Sequence, residues 1–194
     1  MTEPTNATLA DAKCRGTLFI ANAAFVKRIG GDDALAKVEA SLGKRWPGFR
    51  FAGIGEKDWL PLKMRVDFLE TCKSELGWDD RRIYHMGEES VRYSFIVQFM
   101  LNYFMSIQKA LAHGPEIWMQ NYKAGRVEVL ENTEDRGRMA IYDFPFSPIL
   151  CKYLAGYFHG VGMKIAKAKS LDVVEEKCVH KGADHCEFVF NWTE

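Results

Sequence analysis

The feature that most constrains the fold of this chain is a change of hydrophobic period near Gly125. Before it, apolar residues recur every three or four positions, as in Leu18, Ala21, Phe25 and Ile29 and again in Leu62, Val66, Leu69 and Leu76. That spacing belongs to helices with one face turned inward. After it they alternate, as in Arg126-Val127-Glu128-Val129-Leu130 and Arg138-Met139-Ala140-Ile141-Tyr142, which is the period of half-buried strands. The pattern predicts an α+β fold in which an N-terminal helical layer packs on an antiparallel sheet.

Turn and cap residues divide these patterns into elements. The first helix closes at Gly30-Gly31, and Asp32 N-caps a short helix through Ala34, Leu35, Val38 and Leu42 to Gly43. Trp46-Pro47-Gly48, Gly53 and Gly55 mark a loop, and a third helix starts between Asp58 and Pro61 and ends near Gly77. A long fourth helix is expected from about Glu88 to Leu111, carrying Val91, Phe95, Phe99, Met100, Tyr103, Phe104 and Ile107. Gly114-Pro115 breaks it and starts a short helix with Ile117, Trp118 and Tyr122. The two alternating segments form a hairpin about residues 132–137. Ser147-Pro148 then reads as N-cap and first position of a helix reaching about Lys167, in which Gly156 and Gly160 permit close packing. Strands Val173 to Val179 and Cys186 to Trp192 form a second hairpin. The expected product is one domain of 194 residues, its first fourteen flexible, with a helix inserted between the two hairpins of a four-stranded sheet.

Twenty-six basic residues balance twenty-six acidic ones, so net charge gives no reason to expect a nucleic acid or anionic membrane partner. The N-terminus lacks the basic start and apolar run of a secretory signal. No run approaches the roughly 18 uncharged residues of a spanning helix. The expectation is a cytoplasmic protein with reduced cysteines. The chain has no Walker A loop, Gly-x-Gly-x-x-Gly fingerprint, His-Glu-x-x-His motif or Gly-x-Ser-x-Gly elbow. Asp32-Asp33, Asp79-Asp80 and Glu88-Glu89 read as helix-start charges rather than an acid/base pair.

Chemistry concentrates near the C-terminus. Cys178 and Cys186 sit at the mouths of the last hairpin, Cys151 lies in the first turn of the preceding helix, and Glu175 and Glu176 lie just upstream of Cys178. Three thiols and a carboxylate are the inventory of a tetrahedral Zn²⁺ site. Strict alternation puts Glu176 on the face of Cys178 and Glu175 on the other, unless a bulge intervenes. Two alternatives stay open: buried thiols on the apolar face of Cys186, Phe188, Phe190 and Trp192, or a Cys178–Cys186 disulfide. Cys14 and Cys72 read as packing residues. His180 and His185 read as solvated turn residues, with a role beside a metal as the alternative.

These residues carry a resemblance. Cys151-Lys-Tyr-Leu-Ala-Gly156-Tyr157-Phe-His-Gly160, then Glu175-Glu-Lys-Cys178 and Gly182-Ala-Asp-His185-Cys186-Glu-Phe188, resemble the 4-vinyl reductase domain, which also forms part of the aromatic-sensing modules of phenol- and xylene-responsive bacterial activators. The match covers about the last quarter of the chain. It implies a structural zinc site made by Cys151, Glu175, Cys178 and Cys186, and so selects Glu175 over Glu176. The wider superfamily is similar in layout to haem nitric-oxide sensors and to subunits of a Golgi tethering complex. It implies a helical layer over an antiparallel sheet, an apolar pocket and a homodimer.

Phe99, Tyr103 and Trp118 are the pocket candidates, although such a stripe also makes ordinary core. His159, followed by Gly160 and Gly162, is the best-placed haem ligand. The haem sensors carry a Tyr-x-Ser-x-Arg motif that has no match here, which argues against haem. The function expected from the sequence is a non-enzymatic sensor or carrier for an apolar or aromatic small molecule, signalling through a regulatory protein partner. The alternatives are a tetrapyrrole vinyl reductase or accessory enzyme, for which no nicotinamide or flavin motif is present, a protein–protein adaptor, and a haem-based gas sensor.

Overall fold

Glycine at position 31 bends the first helix. The computed structural model describes residues 11–93, 106–164 and 168–193, and α1 runs over Gly16–Arg45 with Gly31 alone outside helical backbone space, at φ 76° and ψ −174°. A positive φ of that size suits a residue without a Cβ, so the expected break at Gly30-Gly31 appears as a kink. The helix that follows ends just before Gly77, as α2 (Leu62–Leu76).

The expected fourth helix is differently divided. α3 spans Asp80–Ser90 and begins where the Asp79 side chain accepts a hydrogen bond from the Arg82 amide at 2.8 Å. A new helix, α4 (Ile107–Ala112), begins where Ser106 caps the Lys109 amide. Asp79 and Ser106 are both strong N-cap types; α3 closes at Ser90, just inside the expected helix, and Ser106 starts a new one within it, which the apolar stripe concealed. Phe99 and Tyr103 lie outside the described residues. α5 follows at Gly114–Asn121 with proline in its first turn.

The strands form two antiparallel sheets. β4 (Arg126–Asn132), β5 (Arg136–Tyr142), β6 (Ser170–Lys177) and β7 (Cys186–Thr193) make the expected four-stranded sheet, in the order β4-β5-β7-β6. A small second sheet joins β1 (Lys13–Arg15), β2 (Trp59–Pro61) and β3 (Tyr122–Lys123) in the order β2-β1-β3. Strands of two or three residues are too short to show an alternating period, so this sheet escapes a sequence reading. α6 (Pro148–Lys164) lies between α3 and the large sheet. On the sheet side Phe158 meets Phe188 edge-on at 5.1 Å between centroids, with Phe190 at 5.7 Å. Each such ring, once buried, contributes ~1.5–3 kcal/mol.

Glu89 ties three elements together. It lies at the C-terminal end of α3 rather than at a helix start, where the macrodipole disfavours an acid. Lys164 Nζ is 2.6 Å away, Arg28 Nη2 3.0 Å and Arg92 Nε 3.2 Å. Burial alone would raise its carboxyl pKa, but the Lys164 hydrogen bond and the three cations lower it. A depressed folded-state pKa stabilises above the unfolded value and is lost as pH falls through the folded one. Glu89→Gln is therefore expected to cost about 1 kcal/mol at pH 7. The deficit should shrink as pH falls below about 4.3, which denaturant titrations at pH 7 and in acid would show.

Behind α6 lies a buried polar network. Asn22 Nδ2 donates to Tyr153 Oη at 3.0 Å, and Tyr153 donates to Ser90 Oγ at 2.8 Å. Arg65, fully buried on α2, donates to Tyr122 Oη and stacks on the Tyr153 ring, 4.3 Å from its centroid.

Candidate functional site

Two features of the molecule can do chemistry. The first is the cysteine cluster. Ser147 caps the amide of Ile149 through its hydroxyl at 3.3 Å, which starts α6 at Pro148 and sets Cys151 in its first turn. β6 ends at Lys177, and the turn Val179–Lys181 carries the chain from Cys178 to Cys186, the first residue of β7. Cys151 Sγ lies 3.9 Å from Cys178 Sγ and 3.8 Å from Cys186 Sγ. A ligand atom of Glu175 joins them, all four lying within 4.8 Å of one another. Tetrahedral thiolates at a Zn–S distance of ≈ 2.3 Å are separated by about 3.8 Å, so the sulfur spacing suits zinc.

The register explains which glutamate takes part. Val173, Val174 and Glu175 pair in sequence with Phe190, Val189 and Phe188, and the register then shifts so that Lys177 faces Glu187. Glu175 keeps the inner face with Leu171 and Val173, and the bulge absorbs Glu176, leaving it exposed and turning the buried Cys178 to the same side. Glu175 Oε1 is buried without a hydrogen-bond partner, an uncompensated acceptor of the kind a cation satisfies.

The thiols are unequal. The hydrogen bond from Cys151 holds the Cys186 thiol down at about 6, and the same bond together with burial pushes Cys151 up. Burial raises Cys178. Lowering the Cys186 thiol favours the thiolate, the form that binds a metal. All five cysteines are free thiols.

Beside the cluster, Glu187 is fully buried. Arg138 holds its Oε1 through Nε at 2.7 Å and Nη2 at 2.6 Å. Lys177 Nζ reaches Oε2 at 3.0 Å, and His185 Nε2 lies 3.2 Å from the same oxygen. Burial alone would raise the carboxyl, but these bonds from Lys177, Arg138 and His185 hold it at about 2. His185 is buried, with its ring 4.8 Å from that of Tyr142, and is not a solvated turn residue. Sequence reasoning missed Glu187. Its one signal was an acid between two apolar positions of β7.

The second feature is an apolar cavity of about 90 Å³ between α4, α5, α6 and the sheet, walled among others by Ile107, Trp118, Tyr122, Tyr157 and Phe190. Trp118 is on the wall, as expected, anchored by its Nε1–H to Ala124 O at 2.9 Å and stacked on Tyr122 at 4.3 Å. His159 is not on it. Its Nδ1 lies 3.1 Å from Glu88 Oε1, and its ring 6.0 Å from that of Tyr84. Among the described residues no helix is long and apolar enough to cross a membrane.

No protein-family model and no curated protein sequence matches the chain, so the resemblance to the 4-vinyl reductase domain is without support. Solved structures do match. An H-NOX protein from S. oneidensis in the Fe(II)NO ligation state is 13% identical with a TM-score of 0.71, covering 93% of this chain and 99% of that one. An oxygen-binding H-NOX domain related to soluble guanylate cyclases, in its oxygen complex, is 13% identical with a TM-score of 0.70, covering 93% and 95%. A third, from work on haem redox potential and protein-induced porphyrin distortion, is 14% identical with a TM-score of 0.71 over the same shares.

The likeness overturns the expectation against haem. That expectation rested on a missing motif, whereas the chain shares the architecture of proteins described by their iron ligation states and porphyrin geometry. Among the described residues the cavity wall offers no histidine or cysteine. Its iron-ligand types are the thioether of Met139 and the phenols of Tyr122, Tyr153 and Tyr157; Tyr122 already accepts from Arg65, and Tyr153 is bonded to Asn22 and Ser90. Burial pushes the Tyr122 phenol up to about 12 and raises that of Tyr157, which disfavours the phenolate that iron takes, so the described wall does not offer a ready haem ligand. A porphyrin is larger than the cavity of about 90 Å³. The expected layout of the haem nitric-oxide sensors is borne out, and the chain has the fold of the H-NOX domains.

Proposed function

We propose that this chain is a ligand-binding sensor domain whose apolar cavity receives the ligand. The observation that carries this is the cavity itself, an apolar, aromatic-walled space between the helical layer and the sheet, in a fold shared with H-NOX domains that are described as binding oxygen or holding iron with NO. Haem with a diatomic gas is the occupant that this likeness favours. Titrating haem into the purified protein should give a Soret band that survives gel filtration and shifts on addition of NO. Haem that elutes apart from the protein would exclude this version.

A second version has its own observation. Among the described residues the wall offers no imidazole or thiol group and is largely apolar and aromatic, so a small apolar molecule bound directly is its natural guest. Mass spectrometry of what co-purifies tests it. In both versions Cys151, Glu175, Cys178 and Cys186 hold a structural Zn²⁺ that clamps the last hairpin to α6. Four protein ligands leave no open position for a substrate, so the metal is a staple and the cavity is the sensing element.

A further inference from the structure

Arg65 is the one described arginine that is fully buried, and its charge cannot be removed by deprotonation. Burying an uncompensated cation costs several kcal/mol. Among the described residues, the ionisable groups that act on it most strongly are neutral ones, Tyr122, Tyr153 and Cys14, with Tyr157 also in reach. One nitrogen, Nη1, donates to Tyr122 Oη, and the plane stacks on Tyr153. Nε and Nη2 have no acceptor among the described residues. Those two nitrogens form one edge of the guanidinium fork, the edge that matches a carboxylate through two parallel hydrogen bonds. Tyr122 and Tyr153, the residues Arg65 touches, are also cavity walls. A cation with an open bidentate edge therefore stands directly behind an apolar chamber.

We infer that Arg65 is the anion-binding pole of the cavity and that the ligand is a carboxylate on a small apolar body, such as an aromatic monocarboxylate or a medium-chain fatty acid. The body fills the space beside Trp118, and the carboxylate completes the fork, with the Tyr122 hydroxyl as the hinge between wall and guanidinium. An arginine with a merely structural role would have its edge closed by backbone carbonyls or an acid of the protein. This inference rests on reading the cavity as a ligand site.

Calorimetric titration of the whole protein with benzoate against benzyl alcohol, and octanoate against octanol, tests it. Each acid should bind about tenfold or more tightly than its alcohol, the order expected of a charge-assisted pair. Arg65→Met should abolish that preference and leave alcohol binding within about threefold. Equal affinities of acid and alcohol in the wild-type protein, or a preference that survives in Arg65→Met, overturn the inference while the cavity reading stands. Binding of neither overturns both. If Arg65→Met does not fold, Arg65→Lys, which keeps the charge but lacks the fork, should retain only part of the preference. Full retention overturns the inference. Comparison of haem with its dimethyl ester identifies the source of the carboxylate. A Soret band that needs both free propionates and Arg65 assigns it to a porphyrin, and binding of the small acids alone assigns it to a free carboxylic acid.

Discussion

Cys186→Ser is expected to lower the zinc content of the purified protein from about one ion per chain to near zero and to cost several kcal/mol of stability. The magnitude follows from structural zinc sites, whose apparent binding energy of ~10 kcal/mol becomes folding energy. Here the domain keeps its own aromatic core, so a fraction of that figure is expected. In a chain of this size each kcal/mol shifts the melting temperature by roughly 2–4 °C. Cys72→Ser is the control, because Cys72 is also fully buried but lies outside the cluster. It should lower stability through packing and polarity alone and leave metal content unchanged. Chelator should destabilise the wild type and Cys72→Ser, with little further effect on Cys186→Ser. Glu175→Gln should weaken metal retention and Glu176→Gln should not, since the bulge removes Glu176 from the cluster. Wild-type protein free of zinc after purification under reducing conditions would sink the assignment.

Gly156→Ala should be far more damaging than its small size suggests. A Cβ built on Gly156 would lie 1.9 Å from Tyr84 O, and one on Gly87 would lie 2.0 Å from Tyr153 O. The two glycines face each other's helices, so α3 and α6 touch backbone to backbone, and no side-chain rotation relieves the clash. Overpacking of this kind costs ~3 kcal/mol or more, which exceeds the ~1 kcal/mol that alanine gains over glycine in helix propensity. Gly43→Ala, in α1, supplies the contrast. Its Cβ would meet only an Arg50 side-chain nitrogen at 3.9 Å, so it should stabilise by ~0.5–1 kcal/mol. Denaturant midpoints of the two variants should move in opposite directions. If they moved together, close backbone contact would not be what holds α6 against α3.

The contact has a functional side. Tyr153, Leu154, Tyr157 and Phe158 all lie on α6 and all reach the cavity, while Cys151 at the start of the same helix belongs to the cysteine–glutamate cluster. One rigid helix therefore joins the staple, the cavity wall and the α3 contact. A ligand that moves this wall would be felt at α3 and at the last hairpin.

What the sequence determined by itself is the part of the molecule governed by local rules. Hydrophobic period, caps and turns located the helices ending at Gly77, the break at Gly31, both hairpins and the helix after Ser147, because each depends on residues near in sequence. The same reading placed Cys151, Cys178 and Cys186 at converging ends of elements. Tertiary structure decided what depends on register and neighbours. A bulge at Glu176 turned Cys178 to the side of Glu175, the carboxylate that alternation alone would have rejected. The closure of α3 at Ser90 and the N-cap at Ser106 divided the long apolar stripe. Pairing of β1 with β2 and β3 is carried by strands too short to leave a period. Arg65 reads in the sequence as a solvent-facing charge on an amphipathic helix. Only packing against Tyr122 and Tyr153, distant by more than fifty residues, turns it into a buried cation with an open edge, because burial is a property of what other elements bring to a residue.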